Sequence, residues 1–327
     1  MTTKKKNIAV VCGGDSGEYE ISIKSGKVVY AHLNKEKYNP WLIIVKGTNW
    51  MASFPDGSSI KVDKDDFSVL IADQKLRFDA VFNIIHGTPG EDGKILGYFD
   101  MLGIPYTSSS HVVSGATFNK DFCKQLVHSK GVALAESVLV RKGNKLNSEQ
   151  IIQQLGLPVF VKPNSNGSSV GVSKVTKVEE LEAAVDNALK EDHEALIESY
   201  IKGREIGCGV FEYKGRKLVF PLTEIISKKE FFDYEAKYTP GMSDEVTPAE
   251  VDEAVEIDIK AIASELYSHL GCKGIVRFDF ILTENDIYFL EVNTVPGMSE
   301  ASIIPQQAKV MGISLETLFD MAIENAL

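Results

Sequence analysis

Short, uninterrupted apolar segments predict buried strands in the N-terminal part of the chain. They lie at 8–11, 41–45 and 80–85, lack the alternation of a half-exposed strand, and end in glycine or turn residues. A stretch of helical length, 22–33, separates the first two. Strand, helix, strand is the order that builds a parallel sheet, so the sequence predicts an N-terminal parallel βαβ domain of the α/β class.

The rest of the chain mixes helical and strand patterns. Strands are predicted at 137–140, 159–162, 172–175, 195–201, 205–212, 217–226, 274–282 and 287–293. Helices are predicted at 120–129 and 148–155, after each of two Ser/Thr-x-x-Glu capping boxes (Thr176 to Glu179 and Thr247 to Glu250), and at the C-terminus. The second of the capped helices is expected to reach about residue 269. This composition indicates an α+β organisation for the C-terminal parts.

Composition restricts the possible functions. The 327 residues are enough for two or three domains, and 46 acidic against 35 basic residues give a formal net charge of −11. That charge disfavours nucleic-acid binding and requires any anion site to be a local cluster of cations and amides. No apolar run approaches the 18 or so residues of a membrane span, and the one at 8–12 is too short for a signal peptide. The four scattered cysteines indicate reduced core residues in a cytoplasmic protein.

The last two predicted strands form an antiparallel hairpin that brings acidic side chains together. Facing residues in a hairpin have a constant index sum, and pairing Asp279 with Glu291 puts the pivot at Asn285, inside the turn. Arg277 lies on the same face as Asp279, and Asn293 on the same face as Glu291. The opposite face is predicted to carry Phe278, Phe280, Leu290 and Val292.

The facing carboxylates indicate a cation site. Their Cβ atoms would lie about 5 Å apart, and two charges there repel by roughly 3 kcal/mol at an effective dielectric of 20. Mg²⁺ shared with a phosphate relieves this repulsion, since two carboxylates and an Asn carbonyl are hard oxygen ligands. The alternative is a solvated sheet face with a simple Arg277–Asp279 ion pair.

A lysine followed by a loop of small residues predicts a phosphate site. Lys162 ends a predicted buried strand, and Gly167-Ser-Ser-Val-Gly171 follows it. Such a loop offers backbone amides and hydroxyls to phosphate oxygens, with the lysine as a point charge. The loop also matches Gly-x-Ser-x-Gly with Ser169 as nucleophile, but a strand rather than a helix is predicted after it, so we reject a serine hydrolase.

Two polar turns leave predicted strands of the N-terminal domain. His86-Gly-Thr-Pro-Gly-Glu-Asp-Gly93 is expected at the C-terminal edge of the sheet, where ligands bind; the alternative is a turn and a helix cap. Glu18 suits either a helix first turn or an ammonium ligand. The turn after the first strand does not fit Gly-x-Gly-x-x-Gly, so no dinucleotide site is predicted there.

In their order and spacing, these motifs resemble those of the D-alanine–D-alanine ligases of the ATP-grasp superfamily, over nearly the whole chain. The resemblance rests on Gly13-Gly14-x-Ser16-x-Glu18-x-Glu20, His86 to Gly93, Val161-Lys162-Pro163 with Gly167 to Gly171, Asp233-Tyr-Glu-Ala-Lys-Tyr238, Arg277-x-Asp279, Glu291-x-Asn293, and Pro296-Gly-Met298 with Ser302. It implies a two-part ATP-grasp fold behind the N-terminal α/β domain. The implied divisions are 1–108 for the N-terminal substrate-binding domain, 109–197 for a central subdomain and 198–327 for a C-terminal catalytic subdomain.

The resemblance also implies sites for ATP and for metal ions. The residues assigned to the nucleotide are Lys120, Lys162 and Ser168 for the phosphate region, Glu198 and Ile201 for the adenine, and Glu205 for the ribose. The residues assigned to two Mg²⁺ (or Mn²⁺) ions are Asp279, Glu291 and Asn293.

The implied reaction phosphorylates the carboxylate of one D-alanine and transfers the acyl group to the amine of a second. The residues assigned to the first D-alanine and its lid, a segment at 233–238, are Glu18, His86, Ser168 and Tyr238. The residues assigned to the oxyanion are Arg277 and the Gly297 amide, and those assigned to the second carboxylate are Lys237, Ser302 and Ile303.

Several positions depart from the family's pattern. Asn119 stands where the family has Asp before the nucleotide lysine, Leu96 replaces a common Gln, and 164–166 replaces a more charged run. Tyr238 favours a dipeptide product, because relatives that make D-alanyl-D-lactate lack this tyrosine. The alternatives are ligation of D-alanine to D-serine or D-lactate, and a nucleotide-binding module without catalysis. The intact set of Arg277, Asp279, Glu291 and Asn293 disfavours the second, since binding alone needs no oxyanion donor. Family analogy further implies a cytoplasmic homodimer that acts in peptidoglycan precursor synthesis without nucleic-acid or membrane partners.

Overall fold

The computed structural model describes residues 4–227 and 243–327, which form three β-sheets with helices packed on them. The strands of the N-terminal sheet are β1 (Lys6–Gly13), β2 (Tyr38–Lys46), β3 (Asn49–Ser53), β4 (Ser59–Asp63), β5 (Ser68–Ile71), β6 (Gln74–Arg77) and β7 (Ala80–Asn83). Their spatial order is β6-β5-β4-β3-β2-β1-β7. The helices of this region are α1 (Tyr19–His32) and α2 (Lys94–Leu102).

The predicted parallel core is confirmed. Strand β1 pairs in parallel with β2 and with β7, and its last six residues are buried, as expected of a strand covered on both faces. The sequence does not predict β3 to β6, which extend the sheet in antiparallel pairs. They are four or five residues long and partly exposed, and no apolar run within them exceeds three residues. The N-terminal sheet is therefore mixed.

The central sheet is four-stranded and antiparallel. Its strands are β9 (Ser137–Arg141), β10 (Val159–Pro163), β11 (Ser173–Val175) and β12 (Glu194–Ser199), in the order β11-β10-β12-β9. The helices nearby are α3 (His111–Phe118), α4 (Lys120–His128), α5 (Ser148–Leu155) and α6 (Leu181–Glu191). Alternate residues such as Val161 and Ile197 pack in the core with α5 and α6. The strand register therefore puts Phe160, Lys162 and Glu198 on the opposite face.

The third sheet carries the predicted hairpin. Its strands are β8 (Ala133–Leu134), β13 (Arg204–Tyr213), β14 (Arg216–Val219), β15 (Thr223–Ser227), β16 (Ser243–Val246), β17 (Ile275–Leu282) and β18 (Ile287–Asn293). The main path is β16-β15-β13-β17-β18-β8, and β14 pairs with β13. One face packs on α7 (Glu253–His269) and on Cys123 and Val127 of α4. The polar face carries the hairpin's acidic residues.

Two C-terminal helices join the third sheet to the first. They are α8 (Ile303–Val310) and α9 (Leu315–Ala326). Phe319 of α9 packs edge to face on Phe82 of β7, with ring centroids 5.5 Å apart. One core cluster contains both residues together with Val10 of β1 and Ile275 of β17. The N-terminal sheet and the end of the chain thus share a core.

The first capping box lies one residue later than the sequence predicts. Glu180, rather than Glu179, accepts hydrogen bonds from the backbone N–H groups of Thr176 (2.9 Å) and Lys177 (3.2 Å). The acceptor can shift because a single 3-10 turn, Val178–Glu180, precedes α6.

The second predicted capping box begins no helix. The Thr247 hydroxyl bonds the Thr223 hydroxyl at 2.7 Å, and the Ala249 N–H donates to the Leu222 carbonyl at 2.8 Å. These contacts hold the segment against the start of β15, and α7 begins only at Glu253. Its predicted end at residue 269 is confirmed.

Across 4–227 and 243–327, we find no helix with both the length and the apolar character needed to cross a membrane.

Candidate active site

The hairpin β17–β18 has the predicted pairing at the acidic residues. Arg277 faces Asn293, and Asp279 faces Glu291. A bulge then shifts the register between Asp279 and Phe280. The constant-sum argument therefore holds on the side that carries the chemistry and fails nearer the turn.

The bulge also corrects the predicted core face of β18. The sequence places Leu290 in the core, but Phe289 is the residue in the buried cluster and is only 4% exposed. Phe278, Phe280 and Val292 are buried as predicted. A one-residue shift in register exchanges the two faces of a strand, which explains why Phe289 lies in the core in place of Leu290.

Asp279 is the centre of a buried polar network. Its side chain accepts hydrogen bonds from Arg277 Nε (2.7 Å) and Nη2 (2.8 Å) and from Asn293 Nδ2 (2.8 Å), and Asp279 is 1% exposed. Burial alone lowers the pKa of the Arg277 guanidinium, but the charge and hydrogen bonds of Asp279 outweigh it and raise the pKa above its usual value. This burial contradicts the alternative of a solvated sheet face.

The hairpin's donor set fits a hard divalent cation. Within the described residues no group of three or more acidic, His or Cys side chains is placed to hold a metal ion. The predicted ligands are instead two carboxylates, Asp279 and Glu291, and the amide of Asn293. Asn293 uses its Nδ2 on Asp279, which leaves its amide oxygen as a possible ligand. Asp279 Oδ1 accepts one hydrogen bond and keeps a lone pair. Oxygen donors of this kind suit Mg²⁺ or Mn²⁺.

Lys120 begins α4 and points toward the end of β10. Its backbone N–H donates to the Asn164 carbonyl at 3.0 Å, and its Nζ donates to the Asn166 carbonyl at 2.6 Å. Asn119 caps the helix by accepting the Phe122 N–H at 2.9 Å. An Asn at this position therefore fills the capping role that an Asp would have, and Lys120 keeps its place at the first helical position.

Lys120 shares one electrostatic environment with the other predicted nucleotide and metal residues. Burial lowers the pKa of its ammonium, Glu291 and Glu198 raise it, and Lys162 lowers it. These charges affect one another only because they lie close together. The structure thus brings the two lysines and the acidic hairpin to one region.

Glu198 lies between two lysines on the polar face of the central sheet. It pairs with Lys124 Nζ at 2.5 Å and with Lys162 Nζ. Burial raises the pKa of the Glu198 carboxyl, but the charges and hydrogen bonds of Lys162 and Lys124 outweigh burial and lower the pKa to about 2. Lys124 is not among the predicted site residues. Its spacing of four residues from Lys120, on one helix face, is the sequence signal that points to it.

Glu18 meets the small-residue loop. A Cβ added to Gly167 would lie 2.6 Å from Glu18 Oε2, so only glycine allows this close approach. Ser168 is 6% exposed, and both Ser168 and Ser169 have φ of +56°, a left-handed conformation that non-glycine residues rarely adopt. Glu18 also donates its N–H to Ser16 Oγ at 3.2 Å. The loop therefore closes over the predicted ammonium ligand.

His86 connects the N-terminal sheet to the loop after β18. Its Nδ1 lies 2.8 Å from the Val295 carbonyl, and its Nε2 lies 3.4 Å from Ser25 Oγ. Ser25 Oγ in turn accepts the Met298 N–H at 3.4 Å. A carbonyl can only accept, so Nδ1 carries a proton and Nε2 can accept from Ser25. His86 thus fixes the segment that carries Gly297.

Gly297 and Ser302 lie against each other at the start of α8. A Cβ added to Gly297 would be 2.8 Å from Ser302 Oγ. Ser302 is the N-cap residue, yet its side chain bonds Ser299 Oγ at 2.8 Å and caps no helix N–H. Ile303 is the first helical residue and is buried. A helix N-terminus of this kind attracts a carboxylate.

The remaining predicted site residues differ in how far the structure describes them. Glu205 lies on β13 near Arg277, whose pKa it helps to raise. Ile201 follows β12 and is partly exposed. Lys237 and Tyr238, with the predicted lid segment, lie outside the described residues.

Glu91 is a site residue to which the sequence analysis gives no role, although it lies within the His86 to Gly93 motif. Its Oε2 accepts the Gly87 N–H at 3.1 Å. Burial raises the pKa of the Glu91 carboxyl, the charges of Glu18 and Glu291 raise it further, and the resulting pKa is about 7. The charges of Glu18, a predicted ammonium ligand, and Glu291, a predicted metal ligand, therefore both act on Glu91.

The replacement Glu91→Gln is expected to flatten the dependence of stability on pH. The folded-state pKa of about 7 lies above the ordinary 4.5. The protonated carboxyl therefore contributes stability that is present below pH 4.5 and lost as pH rises to 7, by roughly 3 kcal/mol. Between pH 5 and pH 8, melting curves of the ligand-free wild type should lose more stability than those of the variant. Parallel curves would show that Glu91 is ionised throughout.

The comparisons with known proteins agree with this geometry. Residues 7–109 match the family described as D-ala D-ala ligase N-terminus, and residues 126–324 match D-ala D-ala ligase C-terminus. A D-alanine–D-alanine ligase of Flavobacterium johnsoniae is 46% identical over 322 residues, covering 98% of this chain and 99% of that protein.

Solved structures match over the full chain as well. The VanG D-Ala:D-Ser ligase from Enterococcus faecalis has a TM-score of 0.87 at 31% identity and covers 99% of this chain and 100% of its own. A D-alanine–D-alanine ligase from Bacillus anthracis complexed with ATP has a TM-score of 0.78 at 30% identity, and the match covers 98% of this chain and 97% of that one.

Fold and site together define an ATP-binding ligase of the ATP-grasp class, with one lysine on a helix, one on the central sheet and an acidic hairpin in the third sheet. Within that class, the chain belongs to the D-alanine–D-alanine ligase family.

Proposed function

We propose that the described residues carry out both halves of D-alanine ligation. By family, the chain is an ATP-dependent D-alanine–D-alanine ligase of peptidoglycan synthesis. The observation that supports the residue roles most is the nearness of Lys120 to Lys162 and Glu291. Lys120 Nζ donates to the Asn166 carbonyl, three residues after the strand that carries Lys162, and the charge of Glu291 acts on the Lys120 ammonium. Cations for phosphate beside a carboxylate for metal suit a phosphoryl-transfer centre.

In the first half, a carboxylate oxygen of D-alanine attacks the γ-phosphorus of ATP, the bond to the β-phosphate oxygen breaks, and ADP leaves. Lys120 and Lys162 hold the phosphates, Glu198 and Ile201 the adenine, and Glu205 the ribose. Glu18 binds the ammonium group of this D-alanine beside His86. Its nearness to Gly167 supports this, since the loop holds substrate and phosphate in one enclosure.

In the second half, the amine of the other D-alanine attacks the acyl carbon, and phosphate and a proton leave the tetrahedral intermediate. Arg277 and the Gly297 amide bind its oxyanion. The buried Arg277–Asp279 pair supports this role, because a guanidinium fixed in advance needs no reorganisation as charge develops. Ser302 and Ile303 at the start of α8, with Lys237, hold the second carboxylate.

Ser168 and Tyr238 link to Glu18, and the 233–238 segment excludes water from the acyl phosphate. When bound, two Mg²⁺ or Mn²⁺ ions on Asp279, Glu291 and Asn293 supply charge neutralisation for the transferred phosphoryl group.

Further parts of the proposal concern organisation. We divide the chain at residues 108 and 197, in keeping with a first family match that ends at residue 109. We further propose a cytoplasmic homodimer without nucleic-acid or membrane partners.

Phosphate release tests the proposed function directly. ATP and Mg²⁺ are supplied with D-alanine, D-serine or D-lactate, singly and in pairs, and the products are separated. We expect release with D-alanine alone and D-alanyl-D-alanine as product. Release that is indifferent to D-alanine contradicts the proposal, whereas mixed products formed in preference to the dipeptide favour a D-serine or D-lactate ligase.

A further inference from the structure

Lys124 is a buried lysine with a complete set of partners. It lies on α4 one turn after Lys120 and is 8% exposed. Its Nζ donates to the Ala135 carbonyl (2.8 Å), Ser137 Oγ (2.8 Å) and Glu198 Oε1 (2.5 Å). An ammonium group has three donors, so each has an acceptor.

The neighbouring strands give Lys124 its partners. Ser137 of β9 faces Glu198 of β12 across the ladder. Both side chains therefore lie on the polar face of the central sheet, and Lys124 reaches that face from α4. The other two acceptors are Ser137, the first residue of β9, and Ala135, two residues before it, so they hold the ammonium in place beside the carboxylate.

Glu198 has a different relation to its two lysines. Lys124 binds Oε1 and is itself fixed by Ala135 and Ser137, whereas Lys162 binds Oε2. If Lys162 turns to ATP phosphates, Glu198 keeps Lys124 and is never a buried charge without a partner, which would be costly. Oε2 then becomes an acceptor of fixed direction.

We propose that Lys124 is a positioning residue for the nucleotide: it orients the Glu198 carboxylate so that Oε2 accepts a hydrogen bond from the adenine amino group. This inference rests on the proposed role of Glu198 as adenine ligand. Guanine carries a carbonyl oxygen where adenine carries that amino group, so a fixed carboxylate favours ATP over GTP. The competing explanation is structural, with Lys124 only tying α4 to the segment at 135–137.

The test is Lys124→Met, with steady-state kinetics of phosphate release in saturating D-alanine. Loss of one charge-assisted contact should raise the KM for ATP by at least about tenfold. The preference for ATP over GTP should fall, while the KM for D-alanine stays within about threefold of the wild-type value. Lys130→Met is the matched control, because Lys130 lies just after α4 and pairs with Glu265, 62% exposed, at 2.9 Å.

A double-mutant cycle separates positioning from folding. If Lys124 acts through Glu198, Lys124→Met should change the KM for ATP and the ATP/GTP preference little in a Glu198→Gln background. The Glu198→Gln background also removes the carboxylate that Lys124→Met would leave with one lysine fewer. The double variant therefore still tests whether Lys124 acts through Glu198 if Lys124→Met alone fails to fold. A lowered melting temperature with unchanged KM for ATP and unchanged nucleotide preference overturns the inference. Wild-type enzyme that releases no phosphate with D-alanine contradicts the proposed function instead.

Discussion

Replacing Glu291 with Gln is expected to lower ligase turnover by at least roughly a thousandfold while changing the stability of the ligand-free protein far less. The carboxylate is a proposed metal ligand, its charge helps to raise the pKa of Glu91, and it also raises the pKa of the buried Lys120. Its removal therefore takes away a ligand, together with a repulsion and an attraction that oppose each other in the stability. Phosphate release measures the first effect, and melting without metal or nucleotide measures the second.

Glu284→Gln is the matched control, since Glu284 is an exposed carboxylate in the turn of the same hairpin. It should change neither quantity. Equal losses of stability and turnover in Glu291→Gln would contradict the metal role and indicate a structural one.

Asp279→Asn is expected to abolish turnover to a similar extent and also to destabilise the fold by about 3–5 kcal/mol. From the sequence alone, neutralising either Asp279 or Glu291 is expected to relieve the repulsion between them. In the structure the two carboxylates have different partners, so the two replacements are expected to differ in stability. Asp279 is the bidentate partner of the buried Arg277 guanidinium. Neutralising it removes the one carboxylate that is hydrogen-bonded to that guanidinium, and only the more distant charges of Glu291 and Glu205 remain. Denaturant unfolding of the ligand-free variant gives the stability loss.

The double variant Arg277→Met with Asp279→Asn provides the check. Removing the unpaired guanidinium should recover much of the lost stability and none of the turnover. If Asp279→Asn alone unfolds like the wild type, the ion pair does not stabilise the fold, and Arg277 must be held by other contacts.

The sequence predicts the chemistry of the hairpin better than its full geometry. The pairing of Asp279 with Glu291 can be predicted from the alternation of side chains and the position of the turn. It is correct because the bulge lies on the turn side of this pair. A bulge has no clear sequence signal, so Leu290 is placed in the core where Phe289 belongs. The strands β3 to β6 are missed for a related reason, because short and partly exposed strands carry no strong apolar run.

Buried charges are the second limit of the sequence. Lys124 stands on an amphipathic helix, where a lysine is normally solvated. Its burial depends on Glu198, 74 residues later, and on the sheet register that brings the two together. Glu91 lies in a motif that the sequence singles out, but its raised pKa depends on burial first and then on the charges of Glu18 and Glu291, which are distant in the sequence. Long-range proximity of this kind follows only from the fold.

The shared core of β7 and α9 sets an order for folding during synthesis. The N-terminal sheet is made first, yet Phe319 and Ile323 cover one of its faces. At typical rates of translation, on the order of 10–50 s separate the synthesis of β7 from that of α9. Throughout that interval the nascent chain lacks the side chains that cover this face in the folded protein, so its first domain is completed last.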